Sequence, residues 1–227
     1  MRSLLQYIYE GLLRGMDDTL AGGQEDLDAV AIQDIEKKLL DQSRYYIHNK
    51  NKNRPDYEIR KFRGKWIVDV NGDLTVYGMD ECITDGSFSF GVVRGMYMIS
   101  CGWDNKTLKS LQYGPKEVQS HMMTYWGENL KSLQYCPKTV HGDFEVNATG
   151  IETLKYFPDF VHGRVRIADC MKLVDFSRLH KCHIEQYVKI LHNAVKTTET
   201  VAKKILDKWD VTCEKLCQFD YNVKDYR

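Results

Sequence analysis

The sequence predicts an α+β fold: a short parallel β-ribbon solenoid of about five rungs, flanked by N- and C-terminal helices. Three observations lead there. A seven-residue unit of the form Val, polar, small, any, apolar, any, apolar recurs at 70–76, 93–99, 118–124, 140–146 and 161–167, its starts 23, 25, 22 and 21 residues apart. A second unit precedes the strand in the last three copies: Leu108, Ser110, Leu111 and Pro115; Leu130, Ser132, Leu133 and Pro137; Ile151, Thr153, Leu154 and Pro158. Outside the repeat, apolar residues fall at helical spacing.

Within each unit, alternation along a strand sorts the slots by face. The odd slots collect apolar or small residues: Val70, Val93, Val118, Val140 and Val161, then a glycine or serine, then two further apolar columns ending in Val165 and Ile167. These are expected to line a core. The even slots are mostly polar and face water. One unit alone buries too little, so the strands are expected to stack in parallel. Proline fits the turn before each strand, where its missing N–H costs no ladder bond.

The flanking elements follow in order. Residues 3–16 place Leu4, Leu5, Ile8, Leu12, Leu13 and Met16 on one helical stripe. After Gly22 and Gly23, residues 25–47 read as a second helix with Leu27, Ala31, Ile35, Leu39 and Tyr46 along one side. A polar loop over 49–55 leads to a basic stretch, Arg54, Arg60, Lys61, Arg63 and Lys65 beside Tyr57 and Trp66. Residues 183–209 read as an amphipathic helix, a C-terminal cap for the solenoid. The domain boundaries are 1–20 for the N-terminal helix, a candidate targeting propeptide, and 21–65 for a helical cap and incoming strand. The solenoid takes 66–181, and a C-terminal helical cap and tail take 182–227.

Lys plus Arg and Asp plus Glu number 32 each, so formal net charge is zero. That balance speaks against a generally basic nucleic-acid binder. The charges lie on the polar columns, with Asp73, Asp143 and Glu145 near Arg164 and Arg166, a mixed-sign face suited to selective protein recognition. The basic stretch over 54–66 reads as a solvated face, with single-stranded nucleic acid as its alternative. Seven cysteines spread over the chain are no dense disulfide framework and fit a reducing compartment. The N-terminus, interrupted by Glu10 and Arg14, does not read as a secretory signal.

No phosphate-binding glycine loop, nucleophile elbow or paired-histidine zinc helix appears, so no enzymatic activity and no cofactor is expected. The nearest metal set is His180, Cys182 and His183 with Cys213 and Cys217, which small buried cysteines explain as well. His141 and His162 share a column near Asp143 and Glu145, but an open solenoid surface lacks the cleft that acid–base chemistry needs. The candidate partner-binding surface is Met96, Met98, His121, Met123, His141, Asp143 and His162. Exposed methionines make adaptable binding surfaces, unless the N-terminal helix covers them.

The segments LKSLQYGPKEV and LKSLQYCPKTVHGDFEV resemble the leucine-rich-repeat-like modules of bacteriophage proteins and their bacterial hosts. The resemblance spans about residues 66–180, although the two earliest copies lack the lead-in, and it implies a curved solenoid and protein binding. The opening MRSLLQYIYEGLL resembles the head-targeting propeptides of tailed phages, whose maturation protease cuts after a glutamate preceded two residues earlier by Leu or Ile. Ile8, Tyr9 and Glu10 match. The resemblance implies a phage-encoded binding protein, in the cytoplasm of a bacterial host or the virion interior; no stretch approaches 18 uncharged apolar residues, so no membrane association is expected. A cytoplasmic host-takeover or anti-defence role is the alternative, and a nucleic-acid-binding or zinc-containing protein a weaker one.

Overall fold

Each seven-residue unit folds as two strands rather than one, because the backbone turns a corner at its small third residue. The structure is a computed structural model describing residues 22–49, 54–77, 81–101, 107–175, 178–186 and 188–191. It contains one helix, α1 (Gly22–Leu39), and strands β1 (Tyr45–His48) and β2 (Tyr57–Phe62), followed by six strand pairs. The pairs are β3 (Lys65–Val70) with β4 (Asp73–Tyr77), β5 (Ser89–Val93) with β6 (Tyr97–Ser100), and β7 (Glu117–Val118) with β8 (Met122–Tyr125). Next come β9 (Thr139–Val140) with β10 (Phe144–Asn147), β11 (Phe160–Val161) with β12 (Val165–Ala168), and β13 (His183–Ile184) with β14 (Val188–Leu191).

The second strands of the pairs form sheet 1, in the order β1-β4-β6-β8-β10-β12-β14, and the first strands form sheet 2, β13-β11-β9-β7-β5-β3-β2. All steps from pair to pair are parallel, for example Phe144 opposite Met122 and Val165, and in register except for a bulge between Val68 and Val70 where β3 meets β5. The result is a β-solenoid of about five turns.

The core columns are those of the first, fifth and seventh slots: Val118, Val140 and Val161 from sheet 2, and Met122, Phe144 and Val165 with Val146 and Ile167 from sheet 1, are all buried. The third slot was expected to face the core with them. Instead it sits where consecutive rungs nearly touch. A Cβ on Gly163 would lie 2.6 Å from the carbonyl carbon of Gly142, and one on Gly142 would lie 2.8 Å from that of Ser120. Backbone contact, not core packing, keeps this column small.

The lead-in forms the third side of each rung. Leu108, Leu111, Leu130, Leu133, Ile151 and Leu154 are buried. The Ser or Thr between them accepts the N–H two residues on: Ser110 from Gln112 and Ser132 from Gln134, both at 3.1 Å, and Thr153 from Lys155 at 3.0 Å. This local turn explains why that slot holds a hydroxyl. A tight turn then closes the side, with Gly114 N–H donating to Leu111 O and Cys136 N–H to Leu133 O.

Two sequence expectations are corrected at the ends. Residues 183–191 are not a helix; they form the sixth strand pair, in register with β11 and β12. Ile184 and Val188 fill core slots, but Gln186 stands where the corner glycine is expected. A 3-10 turn over Leu179–Lys181 replaces the proline. The apolar spacing there satisfies both periods, and stacking on β11 and β12 decides for strand. The rest of the expected helix, to residue 209, and the tail lie outside the described residues, as does the 3–16 helix.

At the other end, the helix expected over 25–47 spans 22–39, with Gly22 and Gly23 inside it. Ser43 N–H and Oγ–H both donate to Asp41 Oδ1, at 3.0 and 2.6 Å, a turn that competes with further helix. The chain then enters β1, with Tyr45 buried and Tyr46 half-exposed on the opposite face. Ile35 and Leu39 are buried as expected, whereas Leu27 is 65% exposed. Strand β1 pairs antiparallel with β4, and β2 with β3, which covers the first rung of the parallel stack. The described architecture is mostly β, with little helix. None of its helices is long and apolar enough to cross a membrane.

Candidate binding face

Register fixes what sheet 1 presents outward. Three columns run across its strands. The first holds Asp73, Met96, His121, Asp143 and Arg164, in the slot leading into each strand. The second holds Thr75, Met98, Met123, Glu145 and Arg166, and the third Tyr77, Ser100, Tyr125, Asn147 and Ala168; of these Thr75 and Ala168 are buried. Five of the sequence-predicted site residues, Met96, Met98, His121, Met123 and Asp143, are therefore brought onto one face. Met98 opposes Met123 directly, and both are half-buried.

The other two, His141 and His162, sit around the corner, between sheet 2 and sheet 1. Their rings stack with centroids 5.0 Å apart and planes 4° from parallel. His141 Nε2 lies 3.3 Å from Glu117 Oε1, and His162 Nδ1 lies 2.7 Å from Glu185 Oε1. The two imidazoles thus face carboxylates at opposite ends of a four-rung row, and their nitrogens do not converge on one point.

The face divides along the stack. Its middle rungs carry Met96, Met98, Met123 and Tyr125, with Tyr77 and Trp126 exposed at its margin. The Tyr125 hydroxyl donates to Met123 Sδ at 3.5 Å; burial, then the neighbouring Glu145 carboxylate, raise its pKa. Its later rungs carry two ion pairs, each carboxylate reaching one rung forward. Asp143 accepts Arg164 backbone N–H at 2.8 Å and Nε–H at 3.0 Å, and Glu145 accepts from Arg166 Nη1. Burial would raise the Asp143 pKa, but the hydrogen bonds from Arg164 outweigh it and the net shift is downward. His121 Nδ1 accepts the Asp143 N–H at 2.9 Å, so its proton sits on Nε2.

Sequence reasoning missed Tyr77, Tyr125 and Trp126. Tyr77 and Tyr125 were legible by carrying the alternation one residue past the seven-residue unit. Trp126 gave no signal: it is 36% exposed at φ 58°, in a turn slot where Ala148 and Asp169 also have positive φ. The left-handed region disfavours a bulky side chain.

The alternative chemistries fare differently. Cys182 is buried and its thiol donates to Arg178 O at 3.2 Å, while the His183 side chain is half-exposed and lies 3.8 Å from Glu185. These two members of the candidate metal set are thus separated by strand alternation; Cys213 and Cys217 lie outside the described residues. Among the described residues no group of three His, Cys, Asp or Glu side chains is arranged to hold a metal ion. Burial pushes the Cys101 and Cys182 thiols up to about 11 and Cys136 higher still, which suits packing and opposes nucleophilic use. The basic stretch forms the β2–β3 hairpin, where Arg60 pairs with Asp69 at 2.7 Å and Lys61 with Asp28 at 2.6 Å. Lys61 also lies 5.1 Å from the Trp66 ring centroid. Two of the five cations of the stretch, Arg60 and Lys61, are thereby engaged internally.

Comparison of the chain with protein families, curated proteins and solved structures gives no match.

Proposed function

We propose that this chain is a non-enzymatic protein-binding solenoid whose binding face is the outer surface of sheet 1. The observation that carries the reading is the register pairing of Met98 with Met123 on the outer side of sheet 1, both still half-exposed among the described residues, next to Met96, Tyr125 and Trp126. Polarizable thioethers and aromatic rings adapt to a partner's shape, and the parallel register of the sheet sets them side by side. The ion pairs of the later rungs add directional polar contacts.

The phage setting rests on the resemblance of the lead-in segments and of residues 1–10, which lie outside the described residues. In that setting the protein is packaged in the head, with Ile8 and Glu10 marking its processing site, or acts on a host protein in the cytoplasm. Mass spectrometry of purified particles separates the two: a chain beginning at Gly11 supports packaging, and absence from particles supports the cytoplasmic role. For binding itself, the Met98→Glu and Met123→Glu double variant is expected to lose its partner in pull-downs from infected cells while melting at the wild-type temperature. Retention of the partner would contradict the reading.

A further inference from the structure

We infer that the partner segment read by sheet 1 is an apolar stretch followed by carboxylates, oriented with its apolar end over Met98 and Met123 and its acidic end over Arg164 and Arg166. This rests on the binding-face reading above and adds the chemistry of the occupant.

The inference comes from how the ion pairs are layered. Arg164 is 51% exposed above an Asp143 side chain that is 19% exposed, and Arg166 is 43% exposed above Glu145 at 14%. The pairs are neutral in sum, but the acids lie against the sheet and the guanidiniums face outward. What an approaching chain meets there is two planar cations two residues apart, Arg164 leading into β12 and Arg166 within it, with side chains on the same face. Guanidiniums present several N–H donors in a fixed fork that matches carboxylates. Asp143 and Glu145 hold them in place, so less side-chain entropy is lost on binding.

Among the described residues, the three columns carry no Lys or Arg on the β4, β6 and β8 rungs; Arg44, whose carbonyl accepts the Tyr77 N–H, stands beyond them at the β1 edge. Met98 and Met123 take the slots that Glu145 and Arg166 occupy two rungs later. Thr75, one rung before Met98, is buried in register between Tyr46 and Met98. Apolar and cationic patches are thus separated along the stack by about two rungs, near 10 Å.

This polarity selects among occupants. A second copy docked face to face about a twofold axis between rungs 3 and 4 sets Met98 opposite Arg166 and Met123 opposite Glu145. An anionic membrane or nucleic acid draws on a broad field of net positive charge, whereas this face offers only two guanidiniums, each set over a carboxylate, which is enough for one or two carboxylates of a short segment. A protein segment with apolar residues leading into Asp or Glu satisfies both halves at once.

The test uses fluorescein-labelled fourteen-residue peptides titrated with the full chain and followed by anisotropy. One peptide carries Leu and Phe followed by Glu, a second carries Lys in place of Glu, and vesicles with one third phosphatidylglycerol serve as the membrane arm. The apolar–acidic peptide is expected to bind at least tenfold more tightly than the apolar–basic one. Its affinity should fall at least fivefold with Arg164→Gln and Arg166→Gln, substitutions that keep hydrogen-bonding capacity over Asp143 and Glu145. Arg166→Glu should then favour the basic peptide. Equal binding of the two peptides, indifference to the arginine variants, or binding to vesicles alone would overturn the inference. If the cellular partner is lost with Met98→Glu and Met123→Glu yet unaffected by both arginine variants, the partner chemistry is wrong and the binding face stands. If it is unaffected by all four, the face itself is wrong.

Discussion

The Asp143 carboxylate is clasped by a residue one rung ahead, taking the backbone N–H of Arg164 on Oδ1 and its guanidinium on Oδ2. One acid thereby ties side chain and backbone of consecutive turns together. Its folded pKa lies below the ordinary carboxylate value, so the stability it contributes is present above the unfolded pKa near 3.9 and lost as pH falls through the folded one. Asp143→Asn is expected to cost about 1–2 kcal/mol at pH 7. The cost should shrink toward pH 3, as read by urea denaturation at both pH values. An equal cost at both would show that the charge contributes nothing.

The seventh-slot column, Val76, Ile99, Thr124, Val146 and Ile167, is buried throughout, yet Thr124 Oγ1 has no hydrogen-bond partner among the described residues. Thr124→Val has nearly the same shape and removes an unsatisfied hydroxyl. It is expected to raise stability by about 1 kcal/mol, measured as a shift in denaturant midpoint at constant slope.

The corner glycines define a second packing limit. Gly163→Ala forces a methyl against the backbone of Gly142, and a loss of about 2 kcal/mol is expected. Ser120→Ala, in the one corner of the five repeats that already carries a side chain, should be nearly neutral in the same thermal melts.

The buried thiols set an alkaline limit. Burial raises Cys101 and Cys182 to about 11, so the stability of their neutral forms is complete below the unfolded value near 8.5. It declines as pH rises toward 11. Denaturation midpoints should hold to about pH 9 and then fall, and Cys101→Val should lessen the fall. Iodoacetamide at pH 8, mapped by mass spectrometry, should leave Cys101, Cys136, Cys170 and Cys182 unmodified in the folded chain.

How much of this was legible follows from the kinds of interaction involved. The valine column, the lead-in leucines and the proline slot were readable because burial repeats with the rung. The bend inside each unit was not, since a glycine in an alternating strand and a glycine at a corner look alike until the next rung's backbone is in place. The sixth pair was hidden because Gln186 and Tyr187 break the corner pattern while Ile184 and Val188 keep the core one. On the face, Met98 and Met123 were legible from alternation, but the layering of Asp143 under Arg164 depends on side-chain reach across rungs. The left-handed turn at Trp126 depends on the same long-range stacking.

The central claim is that sheet 1, and not sheet 2, carries the binding face. The most direct measurement places a photo-crosslinking benzoylphenylalanine at Met98, at Met123, or at Thr139 on the outer side of sheet 2, in the full chain expressed in cells of the proposed bacterial host. Capture of one partner from Met98 and Met123 with none from Thr139 is the predicted result. Capture from Thr139 with none from the two methionine positions would contradict the account.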